Sequence, residues 1–97
     1  MSAEILKEAR DIVAKGWIKG DYTDDQGNYC ALGALGEAVM RNGLFPYVVW
    51  ETRTRLQDHL PDLGWKGRKS VAEFNDHPDT THEMVLQLFD KAIANYE

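Results

Sequence analysis

The sequence predicts a mainly α fold, a compact four-helix domain with a short β-hairpin or ordered flap after the first helix. Apolar residues recur at helical spacing near both ends of the chain, at Ile5, Leu6, Ala9, Ile12 and Val13 and again at Val85, Leu88, Phe89, Ala92, Ile93 and Tyr96. Between Trp17 and Tyr29 that period is lost, and a polar run ends in Gly27. A hydrophobic content of 43%, with three Trp, four Tyr and three Phe, is enough to build a core despite 28% charged residues.

The first helix is expected to be capped by Ser2, with Glu4 near its positive end and Gly16 as its stop. Trp17 to Tyr22 and Asn28 to Cys30 flank Thr23-Asp24-Asp25-Gln26-Gly27, which reads as a hairpin or structured loop with Gly27 at positive φ. Two short strands are marginal alone, so Trp17 and Tyr29 are expected to anchor them on the helices. Ala31 to Met40 is nearly all apolar or small and reads as the buried second helix, in the middle of a sandwich with the first and last helices and ended by Asn42-Gly43. Gly33 and Gly36 cost about 1 kcal/mol each against alanine within a helix. Their expected return is close backbone approach to a neighbour or ligand.

Pro46 opens a third helix running from Tyr47 to about residue 59, with Val48, Val49, Thr52 and Leu56 inward. Residues 62–69 form a loop, Ser70 caps a single turn over Val71-Ala72-Glu73-Phe74, and Thr80 starts the last helix with Glu83 at capping-box spacing. Ninety-seven residues with no repeat, low-complexity run or composition break read as one domain, 1–97.

Charge and composition exclude several functions. Sixteen acids against 11 bases leave a net charge of −5. The bases are scattered apart from Arg53 with Arg55 and the trio Lys66, Arg68 and Lys69, which disfavours nucleic acid as a partner. No apolar run reaches membrane-spanning length, and the N-terminal residues lack a signal-peptide core. One cysteine, Cys30, allows no internal disulfide, in keeping with a cytoplasmic setting.

Three pieces occur in order: Gly16-Trp17 with Gly20-x-Tyr22; Cys30-Ala31-Leu32-Gly33-Ala34-Leu35; and Ser70-Val71-Ala72-x-Phe74-Asn75-Asp76-x-Pro78-x-Thr80-x-x-Glu83. This order resembles an uncharacterised family of small proteins from actinobacteria and their phages. The likeness covers most of the chain and is weakest over residues 43–69. Phe74 stands where that family usually has tryptophan, which keeps an aromatic plug. The resemblance implies an actinobacterial or phage setting and carries no assigned activity.

The polar candidates each have an architectural explanation. Asp76, His77 and His82 offer carboxylate and imidazole groups for a metal or small ligand, but the residue four after His82 is Leu86, so the paired-histidine zinc spacing fails. Asn75, Asp76, Pro78, Thr80 and Glu83 are therefore read as a turn and helix cap, with Asn75 and Asp76 bonding nearby backbone. After Asp21 the alternation of a calcium loop fails at Thr23, and Leu32 holds the twelfth position. Cys30 precedes a helix, but no local base accompanies it, and it reads as a small buried apolar residue.

No catalytic constellation, metal set or cofactor motif emerges, which weighs against an enzyme. The expected function is a non-enzymatic protein-binding module, an accessory protein of a phage or actinobacterium acting on a host protein, with a homodimer as the other expected partnership. Trp, Tyr and Arg dominate interface hot spots, so Tyr47, Trp50, Arg53, Trp65 and Arg68 are the expected partner-binding residues. The alternative is a small-ligand or metal-dependent activity centred on Asp76, His77 and His82.

Overall fold

Ile5, Leu6, Ala9, Ile12 and Val13 are all buried, and this face makes the first helix, rather than the glycine-bearing second, the middle of the structure. The computed structural model describes residues 2–64 and 69–96; the Ser2 side chain, expected as a cap, lies outside what is described. Its elements are α1 (Ser2–Lys15), α2 (Ala31–Arg41), α3 (Tyr47–Gln57), α4 (Val71–Asp76) and α5 (His82–Ala94). α1 packs most extensively on α2 and next on α5, while α2 also meets α3 and α4. Leu35, Val39, Leu56, Val71, Phe74, Leu88 and Phe89 join the α1 face in the core. The radius of gyration, 12.3 Å, is that of a packed domain of this length. Among the described residues no helix is long and apolar enough to cross a membrane.

The expected four helices and hairpin are corrected to five helices and, among the described residues, no β-strand. The fifth helix is α4, where a single turn was expected. The Ser70 hydroxyl accepts from Glu73 N at 3.1 Å and donates to the Glu73 carboxylate at 2.9 Å, a reciprocal cap. Val71, Phe74 and Asn75 then bury one face and carry the helix on to Asp76. His77, held extended before Pro78, ends it.

Local acceptors explain the missing hairpin. Asp24 Oδ1 accepts from Gln26 N and Asn28 N, Asp21 Oδ1 accepts from Tyr22 N, and Asp76 Oδ1 accepts from Gly20 N. Backbone N–H groups held by carboxylates do not form a ladder. Only two isolated bridges remain, Trp17 with Tyr29 (parallel) and Thr23 with Tyr29 (antiparallel). Segment 16–30 is thus an irregular loop, with Trp17 and Tyr29 packed against the core.

The Asn42-Gly43 stop forms a complete helix ending. Gly43 sits at φ 62°, its N–H donates to Met40 O, and Leu44 N donates to Val39 O, each at 3.1 Å. α3 ends two residues before the expected boundary. Its buried Thr52 hydroxyl donates to Val48 O at 2.8 Å, so the polar group in the core is satisfied within its own helix. The N-cap of α5 is Thr81, which accepts from Met84 N; Thr80 is not the cap. The turn closed by Thr80 N on His77 O, with Pro78 at its second position, moves the helix start on by one residue. Glu83 therefore falls one residue short of capping-box register and stays exposed in the first turn.

Gly33 is where the loop touches a helix. A Cβ there would overlap the Tyr22 carbonyl oxygen, whereas a Cβ at Gly36 would meet nothing within 4 Å. Gly33→Ala is expected to destabilise by about 1–3 kcal/mol, because backbone must move. Gly36→Ala is expected to stabilise by about 0.5–1 kcal/mol through helix propensity. Urea unfolding of the two variants beside the native chain checks both signs.

Candidate functional site

Asn75 is the polar centre of the structure. It lies on α4, is 1% exposed, and joins segments far from it in sequence. Its Oδ1 accepts from Trp17 Nε1 at 2.8 Å and from Ala31 N at 3.0 Å. Its Nδ2 donates to Ile18 O at 3.1 Å and to Asp76 Oδ1 at 3.2 Å. Two donors and two lone pairs are all an amide offers, so every hydrogen-bonding position is filled. The indole and the backbone N–H can only donate, which determines the side on which the amide oxygen lies. The expected bonds of Asn75 and Asp76 to nearby backbone are corrected: Asn75 bonds to residues 44, 57 and 58 positions away, and Asp76 holds Gly20 N at 2.9 Å.

The surrounding residues extend this joint. Lys19 Nζ donates to His77 O at 2.7 Å and lies 5.5 Å from the Trp17 ring centre. On Trp17 stacks His82, with ring centres 5.7 Å apart. His82 Nε2 lies 2.7 Å from Val13 O, a carbonyl in the last turn of α1, so that nitrogen carries the proton and donates. His77 Nδ1 accepts from Asp79 N at 3.0 Å. Asp76, His77 and His82, the expected alternative centre, thus serve three separate contacts. Among the described residues, no three of His, Cys, Asp and Glu converge where they could hold a metal ion.

Beside this joint lies a cleft of about 270 Å³, lined by Gly20, Asp21, Tyr22, Cys30, Leu32, Ala72, Asn75 and Asp76. Cys30 is the N-cap of α2, its Sγ accepting from Gly33 N at 3.2 Å. Burial pushes its thiol above the ordinary value, the backbone N–H groups of Gly33 and Leu32 oppose that, and the charge of Asp76 adds to it. At neutral pH the thiol is therefore protonated and weakly nucleophilic. The cleft is lined by two carboxylates, Asp21 and Asp76, and by the protonated Cys30 thiol.

The expected partner-binding residues lie elsewhere. Tyr47 and Trp50, at i and i+3 on α3, are 65% and 64% exposed, and Arg53 is half-buried on the next turn. Phe45 is 71% exposed and stacks on Tyr47 with ring centres 6.1 Å apart. Phe45 clusters with these aromatics in the sequence, although it is not among the expected partner-binding residues. Trp65 and Arg68 lie outside the described residues.

Asn75→Ala would leave the Trp17 indole N–H, Ala31 N and Ile18 O without their buried partner. Unfolding free energy is expected to fall by about 3 kcal/mol or more, read from urea denaturation. Cys30 is expected to react with a thiol reagent far more slowly in the native chain than in denaturant, as followed by absorbance.

A family model described as "Family of unknown function (DUF6197)" matches residues 1–95, so the chain belongs to that family. No curated protein and no solved structure matches it.

Proposed function

We propose that this member of DUF6197 is a non-enzymatic protein-binding module, an accessory protein of a phage or actinobacterium that docks on a host protein in the cytoplasm. The observation that carries this reading is the cluster of Phe45, Tyr47 and Trp50, each about two-thirds exposed at the start of α3. Neighbouring exposed aromatics mark interaction sites, and Trp and Tyr supply most hot-spot energy. α3 already buries Val48, Thr52 and Leu56 on its other face, so the exposed rings are not needed by the core. Arg53 is placed to add a charged contact one turn on.

The test is an affinity pull-down from actinobacterial lysate with the native chain and a Tyr47→Ala, Trp50→Ala variant, both first shown to unfold at similar urea concentration. A protein held by the native chain and captured at least about tenfold less by the variant supports the reading; tenfold corresponds to roughly 1.4 kcal/mol, within hot-spot range. Equal capture by both chains removes this surface from the function.

A further inference from the structure

A second surface lies on α2, away from the aromatic start of α3. Gly33 and Gly36 line an open groove of about 310 Å³ together with Tyr22, Leu32, Glu37 and Met40. Tyr22 is 66% and Met40 75% exposed. The groove adjoins the cleft beside Asn75, since Tyr22 and Leu32 line both. Gly33 is required by the Tyr22 carbonyl, but nothing in the chain approaches Gly36. Gly36 therefore carries the helix penalty of a glycine with no contact inside this molecule to offset it.

The charged residues that line the trough are acidic. Asp21 and Asp76 line the cleft end and Glu37 lines the groove end; among the described residues no lysine or arginine lines either. Arg41 pairs with Glu37 at 2.8 Å. Asp21 and Asp76 each hold a backbone N–H, and neither is ion-paired with a described base. An apolar floor ending at two carboxylates that make no ion pair with a described base complements a cation on an apolar stem. A second copy of this chain, with its net charge of −5, is a poorer match to these carboxylates than a basic segment.

We propose that the groove over Gly36 and the adjoining cleft form one docking site for a basic, apolar segment of a partner protein. A lysine or arginine of that segment lies against Asp21 and Asp76, and a leucine-like neighbour lies on Gly36 between Tyr22 and Met40. The missing side chain at residue 36 is what lets the partner approach the helix.

The test is fluorescence anisotropy with two short labelled peptides, one alternating lysine and leucine and one alternating glutamate and leucine. Three chains are compared: native, Gly36→Leu, which fills the groove without changing charge, and Asp21→Asn, which removes charge without filling it. A Cβ at residue 36 meets open space, so the filled variant is expected to melt no lower than the native chain. The expected result is that the native chain binds the lysine peptide at least about tenfold tighter than the glutamate peptide. Both variants are expected to weaken lysine-peptide binding by about tenfold, with added salt weakening it further in the native chain. Equal binding of both peptides by the native chain, unchanged binding by Gly36→Leu, or no binding at all overturns the proposal. So does a native dimer that Gly36→Leu converts to monomer, since the groove would then be an interface between copies.

Discussion

The side-chain amide of Asn75 holds three stretches in register: the loop after α1, the first residue of α2, and the end of α4. Apolar burial brings these stretches near one another but does not set their register, because hydrophobic contact is non-directional. Four hydrogen bonds in a buried place do set it, since any slip leaves a donor or acceptor unpaired away from water. The Trp17 indole is oriented by Asn75, and His82 and Lys19 in turn rest on that indole. The protonated nitrogen of His82 meets a last-turn carbonyl of α1, so the joint also ties the end of one core helix to the start of another.

This anchoring accounts for an ordered segment 16–30 without strands. Its backbone is held by Asp21, Asp24, Asp76 and Asn75, and by single bridges on Tyr29. The acidity of the Asp24 side chain has the same origin: Asn28, by side chain and backbone, and Gln26 donate to it and hold its carboxyl below the ordinary carboxylate range. Residues that first suggest metal or calcium chemistry are occupied in shaping a loop. The outcome of that shaping is a cleft between the loop and α2 with Asp21 and Asp76 at its edge.

Two surfaces then stand out for opposite reasons. The start of α3 projects large rings that the core does not need, and convex aromatic anchors of that kind fit pockets on a partner. The groove on α2 lacks a side chain where one is affordable, and a concave floor fits something inserted. Cys30 is buried and protonated, and among the described residues no three of His, Cys, Asp and Glu converge where they could hold a metal ion.

Much of the helical frame was legible in the chain. The α1 face, the Asn42-Gly43 ending, the Pro46 start of α3, the Ser70 cap and the core face of α5 all rest on contacts within a few residues, and local spacing reports such contacts directly. The one-residue shift of the α5 cap was not legible, because Thr80 and Thr81 are both good caps and the preceding turn chooses between them. Nor was the absence of strands, since a loop and a hairpin share the same glycine and aspartate signals until the partner of each N–H is known. The Gly-Trp, Cys-Ala-Leu and Asn-Asp pieces can be read in order along the chain. Only the tertiary structure showed that Trp17, Ala31 and Asn75 meet, and that Gly33 serves the loop while Gly36 faces open space. The physical reason is separation: a hydrogen bond across 44 to 58 residues leaves no periodicity in the chain, whereas a helix face repeats within every turn.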